Sequence, residues 1–433
     1  MKKNTNQKYN LTLAQKSVLF EFDANGNTTC SDKNFIWGHA KVNQEIDFKR
    51  LNKAINYFVK KNDSIRIKLC YENNEFFQYF EKYKKFDIEV IDVNSQDDVN
   101  NIKKEIINKP LNMIDSFLFN IVAYRYKNGF GGIIVKLHHI ISDGYSIGLL
   151  LYEVLGFYNK SLTKYPAFSY IDHIESDEKY PFSKRYEQDK EYWNNIFEKR
   201  IPDIAYIPSK KENYSLNLCD KAEFDLDTNL VDLIKNYCKE TKTSLYTFYT
   251  SVYAIYIKKV SNLTNFFLSS VSQNRRNIKE KLTSGMFTAT AYFNINIHNE
   301  TFKEFTKETN FTIFNAYKHM NFTEYYLREL FDKNNDKRII PSNIIMSYQD
   351  ISEIKNKINI NCELVGDSSV GTYGLDIFLI HILEQENNKV TISYDYLSEK
   401  FSKEDIFNLN NGIISIIKQV INNENISIQD IEI

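Results

Sequence analysis

The stretch His138-His139-Ile140-Ile141-Ser142-Asp143-Gly144 has the residue types and spacing that suit catalysis. Imidazole exchanges a proton near neutral pH, so a histidine at the end of a rigid strand is a natural general base. Asp143 follows four residues after His139, beyond an apolar pair that anchors the loop. It suits either orientation of the imidazole or pairing with a cation that holds the loop. Gly144 frees the backbone for a tight bend and leaves room beside the ring. Other readings of the same residues stand beside this one. Tandem histidines at a strand end also serve as hydrogen-bonded core residues. His138, His139 and Asp143 are metal-ligating types, but adjacent strand residues point to opposite faces and no fourth ligand lies near, so no metal is expected. Ser142 lacks the G-x-S-x-G frame that exposes a nucleophile at a strand–helix elbow.

The motif needs a strand before it and a helix after it, and the flanking pattern supplies both. Gly132 to His138 reads as a strand entered from the turn Lys127-Asn128-Gly129, with Phe117 to Tyr126 as the strand before that turn. From about Tyr145 to Tyr158, the apolar positions Ile147, Leu150, Leu151, Val154, Leu155 and Tyr158 form a helical stripe. Upstream, Leu51, Ala54, Ile55 and Phe58 lie on one face of a helix over Phe48 to Lys61. Ile65 to Tyr71 and Phe76 to Phe80 read as a hairpin, and Val99 to Ile107 as a helix. The polar, Tyr-rich stretch from Asn159 to Arg200, with Pro166 and Pro181, marks a boundary between two halves. The second half again mixes helices (Thr228 to Thr241, Leu245 to Val260, Lys403 to Asn422) with strands. The strands fall at Asn265 to Ser272, Ala291 to Ile297, Asn343 to Tyr348, Ile377 to Leu383 and Val390 to Tyr396. Ser402 is the expected N-cap of the last helix.

Composition narrows the function classes. At 433 residues the chain suits two or three domains, and 42% hydrophobic with 26% charged residues is the balance of a folded protein. With 55 basic against 56 acidic residues there is no basic excess to displace counterions, so no nucleic-acid partner is expected. Five scattered cysteines without CxxC spacing argue against a disulfide framework or a zinc site and favour a reducing compartment. The lysines near the N-terminus precede no apolar run, and no segment approaches the ~18 apolar residues of a membrane span. The expectation is a cytoplasmic protein with no membrane partner.

The motif and its surroundings together resemble a known family. HHIISDG has the HHxxxDG form of the condensation domains of nonribosomal peptide synthetases, relatives of chloramphenicol acetyltransferase. Leu11-Thr12-Leu13-Ala14-Gln15 is similar to the family's opening segment, and Lys61-Asn62-Asp63-Ser64-Ile65-Arg66 sits where the family has RHExLR, with only Arg66 kept. Tyr170-Ile171-Asp172-His173 followed by Tyr192-Trp193 resembles its YxDYxxW-like region. Ser272-Gln273-Asn274-Arg275 and Gly285-Met286-Phe287 resemble the segment crossing between lobes, and Ser347-Tyr348-Gln349-Asp350 and Ile392-Ser393-Tyr394-Asp395 the late strands. The resemblance runs from about residue 10 to the end.

It implies an α/β fold of two chloramphenicol-acetyltransferase-like lobes, a V-shaped pseudo-dimer with the active-site tunnel between them. The N-terminal lobe (10–175) would carry HHxxxDG, and the C-terminal lobe (176–433) would send crossover segments toward it. Donor and acceptor would reach His139 from opposite faces on phosphopantetheine arms, an arrangement that removes much of the entropic cost of a bimolecular step. By the same resemblance His139 is the catalytic residue, with His138, Asp143 and Gly144 in support. Asp143 would form a buried salt bridge with Arg66, and Gly144 would border the donor channel. Asp376 would reach toward the site from the second lobe, a surface acid being its other reading.

The implied function is an acyltransferase that condenses a carrier-bound acyl or aminoacyl thioester with an amine, as in nonribosomal peptide biosynthesis. No cofactor is expected to be bound. Substrates would arrive on the phosphopantetheine of carrier proteins acting in trans, or as coenzyme A thioesters, and the unit would be a monomer. The alternatives are an O-acyltransferase making an ester from an alcohol, and a non-catalytic recruitment domain. The Asp-based motif of heterocyclising relatives and the second-lobe motif of epimerising ones are both absent.

Overall fold

The computed structural model describes residues 7–22, 28–30, 34–161, 166–209, 211, 219–334, 341–350, 362–368 and 376–433. These group into two compact units. Unit 1 takes the described residues up to Pro181, together with Gln273–Thr288 and the strand Cys362–Ser368. Unit 2 takes the described residues of the segments starting at Phe182, Ala289 and Val370. The chain therefore leaves unit 2 twice to add a segment to unit 1.

Unit 1 is built on a five-stranded sheet in the order Cys362–Ser368, Phe35–Val42, Gly131–His138, Phe119–Tyr126, Glu89–Val93. All neighbours are antiparallel except the last pair. The central strand, Gly131–His138, is buried along its whole length, as expected of a strand covered on both faces. The helix Phe48–Lys61 has the expected bounds; Asp47 caps it by accepting from the Arg50 N–H at 3.0 Å, and Leu51, Ala54, Ile55 and Phe58 are buried. It packs with the helix Gly144–Tyr158, whose buried stripe is wider than the sequence suggested because Leu149 and Glu153 are buried as well. The expected hairpin is present as Ile67–Glu72 against Glu75–Phe80, preceded by the tight turn Asp63–Arg66. Tyr9–Asn10 adds a third strand to it.

Unit 2 contains a mixed sheet in the order Asp203–Ile204, Asn265–Ser272, Ile344–Asp350, Phe378–Glu384, Val390–Leu397, Cys219–Asp225, and Ala289–Asn296 pairs with Asn265–Ser272. The helices Thr228–Thr241, Leu245–Ser261 and Lys403–Asn422 supply its core with residues such as Ile234, Phe248, Val252, Ile413 and Ile417. Ser402 caps the last of these in a reciprocal capping box with Asp405. The stretch read as an inter-domain boundary holds two helices, Ile171–Lys179 and Lys184–Lys199, with the change of unit between Pro181 and Phe182. No helix among the described residues is long and apolar enough to cross a membrane.

Candidate active site

The motif occupies a strand–loop–helix junction within unit 1. The strand ends at His138, His139–Ile141 forms one tight turn, and the helix begins at Gly144. Three contacts from different parts of the chain fix the turn. The His139 N–H donates to the Asn34 carbonyl at 2.7 Å. The Ile140 carbonyl accepts from Gln15 Nε2 at 2.9 Å, and Gln15 is itself held by reciprocal amide bonds with Gln78. Asp143 caps the helix, accepting from the Ser146 N–H at 2.9 Å.

From Gly131 to Asp143 every residue is buried except His139, which is partly exposed; Gly144 is exposed and Tyr145 partly so. The imidazole thus stands at the one opening in a dry stretch. His138 is wholly buried, and its Nδ1 accepts from the Ile140 N–H at 3.1 Å. His139 Nδ1 is buried without a well-formed hydrogen bond. Burial holds the His139 pKa below the usual imidazole value, against the pull of Asp143 and of the carbonyls of His139 and Ser142. A neutral ring leaves one nitrogen lone pair for a reactant.

Asp143 is not paired with Arg66. Its two oxygens accept from Arg275, Oδ2 from Nη1 at 2.7 Å and Oδ1 from Nη2 at 3.0 Å. Oδ2 also accepts the Phe287 N–H at 3.0 Å, and Oδ1 accepts the Ser146 hydroxyl at 2.8 Å. Arg275 lies on the returning segment Gln273–Thr288 of unit 1, and its guanidinium sits over the rings of Tyr145 and Phe287 at 4.4 and 4.3 Å. Burial alone would raise the Asp143 pKa; Arg275 and the Phe287 and Ser146 N–H groups outweigh it and hold the carboxyl below its usual range. Arg66 has another task. It donates to the carbonyls of Val59, Lys60, Asn62 and Glu81 at 2.6 to 3.1 Å and so closes the C-terminal end of the helix Phe48–Lys61. Sequence reasoning quoted Arg275 in its segment but gave it no role; Ser146 was missed too.

One further expectation changes in the structure. Gly144 has no left-handed backbone, so no bend requires it. A Cβ at this position would meet nothing within 4 Å, and open space is the property that remains. On the returning segment packing does demand a glycine: at Gly285, with φ +156°, a Cβ would fall 2.3 Å from the Tyr170 ring. Tyr170 in turn donates its hydroxyl to the Met286 carbonyl at 2.6 Å. Asp376 is engaged within unit 2 by the Lys400 ammonium. Ser142 is buried, and its hydroxyl has no hydrogen-bond partner among the described residues. Among the described residues no group of three His, Cys, Asp or Glu side chains is placed to hold a metal ion.

A family profile described as Condensation domain matches residues 5–433. The chain belongs to the condensation-domain family. Surfactin synthase subunit 1 of Bacillus subtilis (strain 168) is 27% identical over 95% of the chain, and bacitracin synthase 3 of Bacillus licheniformis is 22% identical over 88%. The chain spans only 12% and 6% of the length of these two relatives. Among solved structures, the condensation domain from monacolin K polyketide synthase MokA matches with a TM-score of 0.83 at 14% identity, covering 98% of this chain and 99% of that one. The starter condensation domain of rhizomide synthetase RzmA, solved in complex with C8-CoA, matches at 0.79 and 14%, covering 98% of each. The condensation-domain fold is thus present in full, as a mixed α/β architecture of two acetyltransferase-like lobes. The family is of acyltransferase type and serves nonribosomal peptide synthetases.

Proposed function

We propose that this condensation domain joins a carrier-bound acyl or aminoacyl thioester to an amine, with His139 acting on the proton of the nucleophile. The observation that carries the reading is the setting of His139, a partly open imidazole, neutral at physiological pH, in an otherwise buried loop. The amine nitrogen attacks the thioester carbonyl carbon and passes a proton to His139 Nε2. When the tetrahedral intermediate collapses, the C–S bond breaks and the same proton goes to the departing thiolate, leaving an amide and a free thiol. A free α-amino group has a pKa near ~8, so much of it is already neutral, and a positioned base need supply only about 10²–10⁴-fold.

Asp143 is a positioning residue. Its oxygens are occupied by Arg275, Ser146 and Phe287, so it acts by fixing the loop that presents His139. The open space at Gly144 suits the passage of a pantetheine arm beside the imidazole. An acceptor or donor held on such an arm is delivered in line, which converts a bimolecular encounter into a local one.

The test offers acyl thioesters, each on coenzyme A and on a carrier protein, together with mixed amines and alcohols. Products are read by mass spectrometry against His139→Ala. Amide from a carrier-bound donor, lost in His139→Ala, supports the proposal. Ester from coenzyme A would replace it with O-acyl transfer on the same fold. The absence of any product, with carrier protein still bound, would replace it with recruitment.

A further inference from the structure

A polar cavity of about 400 Å³ lies entirely within unit 2, where the end of the helix Lys184–Lys199 passes the start of the strand Asn265–Ser272 and the end of Ala289–Asn296. The returning segment leaves at the Ser272–Ala289 end, and the cavity is at the Asn265–Asn296 end, seven pairs away, or about 24 Å at the usual rise per residue.

Its floor is a cluster of carboxamides on one sheet face. Asn265 lies opposite Asn296 and diagonal to Asn294, so all three side chains share that face. Asn265 Nδ2 donates to Asn294 Oδ1 at 2.9 Å and also to Asn296 Oδ1. That leaves the Nδ2 groups of Asn294 and Asn296 with no acceptor among the described residues. Asn265 is 7% exposed, and its Oδ1 is buried with no donor. A buried amide oxygen without a partner costs roughly 1–3 kcal/mol, so such groups are normally met by protein, water or ligand.

The wall and rim are donors as well. The Tyr192 ring stacks on His319 at 4.2 Å and 9°, and burial raises its hydroxyl to about 12, so it stays protonated and able to donate. Lys199, Arg200 and His298 also line the cavity, and among the described residues no carboxylate does. The nearby acids are engaged elsewhere: Asp203 accepts from Arg200 at 2.8 Å, and Glu300 accepts the His298 N–H at 3.1 Å. The last-turn carbonyls of the helix contribute roughly half a negative charge, which the Lys199 ammonium exceeds. Among the described residues, then, the pocket has a surplus of N–H and O–H donors, one unspent cation and a single orphaned buried acceptor, which matches an anion that also carries a hydroxyl.

We propose that this cavity binds a small phosphate ester with a hydroxylated organic part, the phosphate meeting Lys199 and the Asn294 and Asn296 amides, and a ligand hydroxyl donating to Asn265 Oδ1. The site is built wholly from residues of unit 2, and the proposal does not depend on the reaction assigned to His139.

Titration calorimetry on the full chain with inorganic phosphate, glycerol 3-phosphate, glucose 6-phosphate and glucose tests this. Saturable binding of the two esters, weaker binding of inorganic phosphate and none of glucose are expected. Lys199→Met and Asn296→Leu should each weaken the esters about tenfold or more, the usual effect of losing a charge-assisted or buried hydrogen bond, and His139→Ala should leave them unchanged. Added salt should weaken ester binding to the unsubstituted chain more than to Lys199→Met. No saturable binding of either ester at millimolar concentration would overturn the proposal. So would glucose binding as well as glucose 6-phosphate, or ester affinity indifferent to both substitutions in variants shown by circular dichroism to be folded.

Discussion

Two histidines, one in each unit, show opposite uses of the same side chain. His319, in unit 2, has what a search for a catalytic dyad would favour: its Nδ1 meets Asp189 Oδ1 at 2.7 Å. It is also buried, stacked flat on Tyr192, and its carbonyl accepts from Trp193 Nε1 at 3.4 Å, while Asp189 takes a second partner in Arg185. Its Nδ1, its backbone N–H and its carbonyl are all engaged, and the ring serves as a strut between the helices Lys184–Lys199 and Phe302–Lys318. His139 has no such partner. The acid of its motif is committed to Arg275, and its ring is the partly open one in a buried loop. A histidine–carboxylate contact is therefore a poor guide to chemistry here. The setting separates the two better: one ring is clamped between a carboxylate and a stacked tyrosine, the other stands partly open on the motif loop.

The contrast is broken most severely at Asp143. Asp143→Ala strands the Arg275 guanidinium in a dry environment and removes the helix cap. Breaking one side of a buried pair costs about 3–5 kcal/mol, so the variant should lose both activity and much of its unfolding free energy in urea. Arg275→Ala should do the same, and the double variant should be less damaged than the sum of the two. Full additivity would show that the pair does not act as a unit.

His319→Ala should cost about 1–3 kcal/mol, because Asp189 keeps Arg185, and should leave turnover per folded molecule unchanged. A large fall in turnover without a fall in stability would erase the distinction drawn above.

Gly144→Trp probes the opening itself. No atom lies within 4 Å of the position a Cβ would take, so stability should hold to within about 0.5 kcal/mol. Turnover with a pantetheine-linked donor should fall by at least about tenfold, since small displacements of a reactant are costly. Unchanged kinetics would remove the arm from this side of the imidazole.

Acidification sharpens the comparison with a third ring. His173 rests on Phe287 at 4.3 Å, and burial, followed by Arg275 and Arg276, lowers its pKa to about 4. A histidine whose folded pKa lies below its unfolded value of about 6.5 contributes stability that is complete above that pH and is lost as the pH falls toward 4. His173→Phe keeps the ring contact and removes the titration, so its melting temperature should fall less than the unsubstituted chain's between neutral pH and pH about 5. An equal or larger fall would contradict the assignment. The lowered pKa of His139 likewise places the acid limb of the rate profile below 6.5, because the base stays neutral to lower pH.

Local patterns carried much of this fold. The stripe at Leu51, Ala54, Ile55 and Phe58 gave the helix Phe48–Lys61 to the residue, and Ser402 gave the start of the last helix. The strand Phe35–Val42 escaped because burial on nearly all positions erases the alternation that marks a half-exposed strand. The helix Phe302–Lys318 escaped because its Thr, Asn and Phe content reads as poor helix former, although the Thr301–Glu304 capping box was there to be seen. In the site, the motif named His139 and Asp143, but the partner of Asp143 lies 132 residues away. A single sequence shows which residues are charged and not which ones meet. Arg66 was the nearer cation in the resemblance, and its guanidinium proved to be spent on closing a helix.

The central claim is that His139 does chemistry while the residues around it hold structure. Single-turnover kinetics of His139→Ala with a carrier-bound acyl thioester and an amine, alongside urea unfolding of the same sample, tests it most directly. The account predicts a fall in rate of about 10²–10⁴-fold, with unfolding free energy within about 1 kcal/mol of the unsubstituted chain. Amide formation at an undiminished rate in a folded His139→Ala would contradict it.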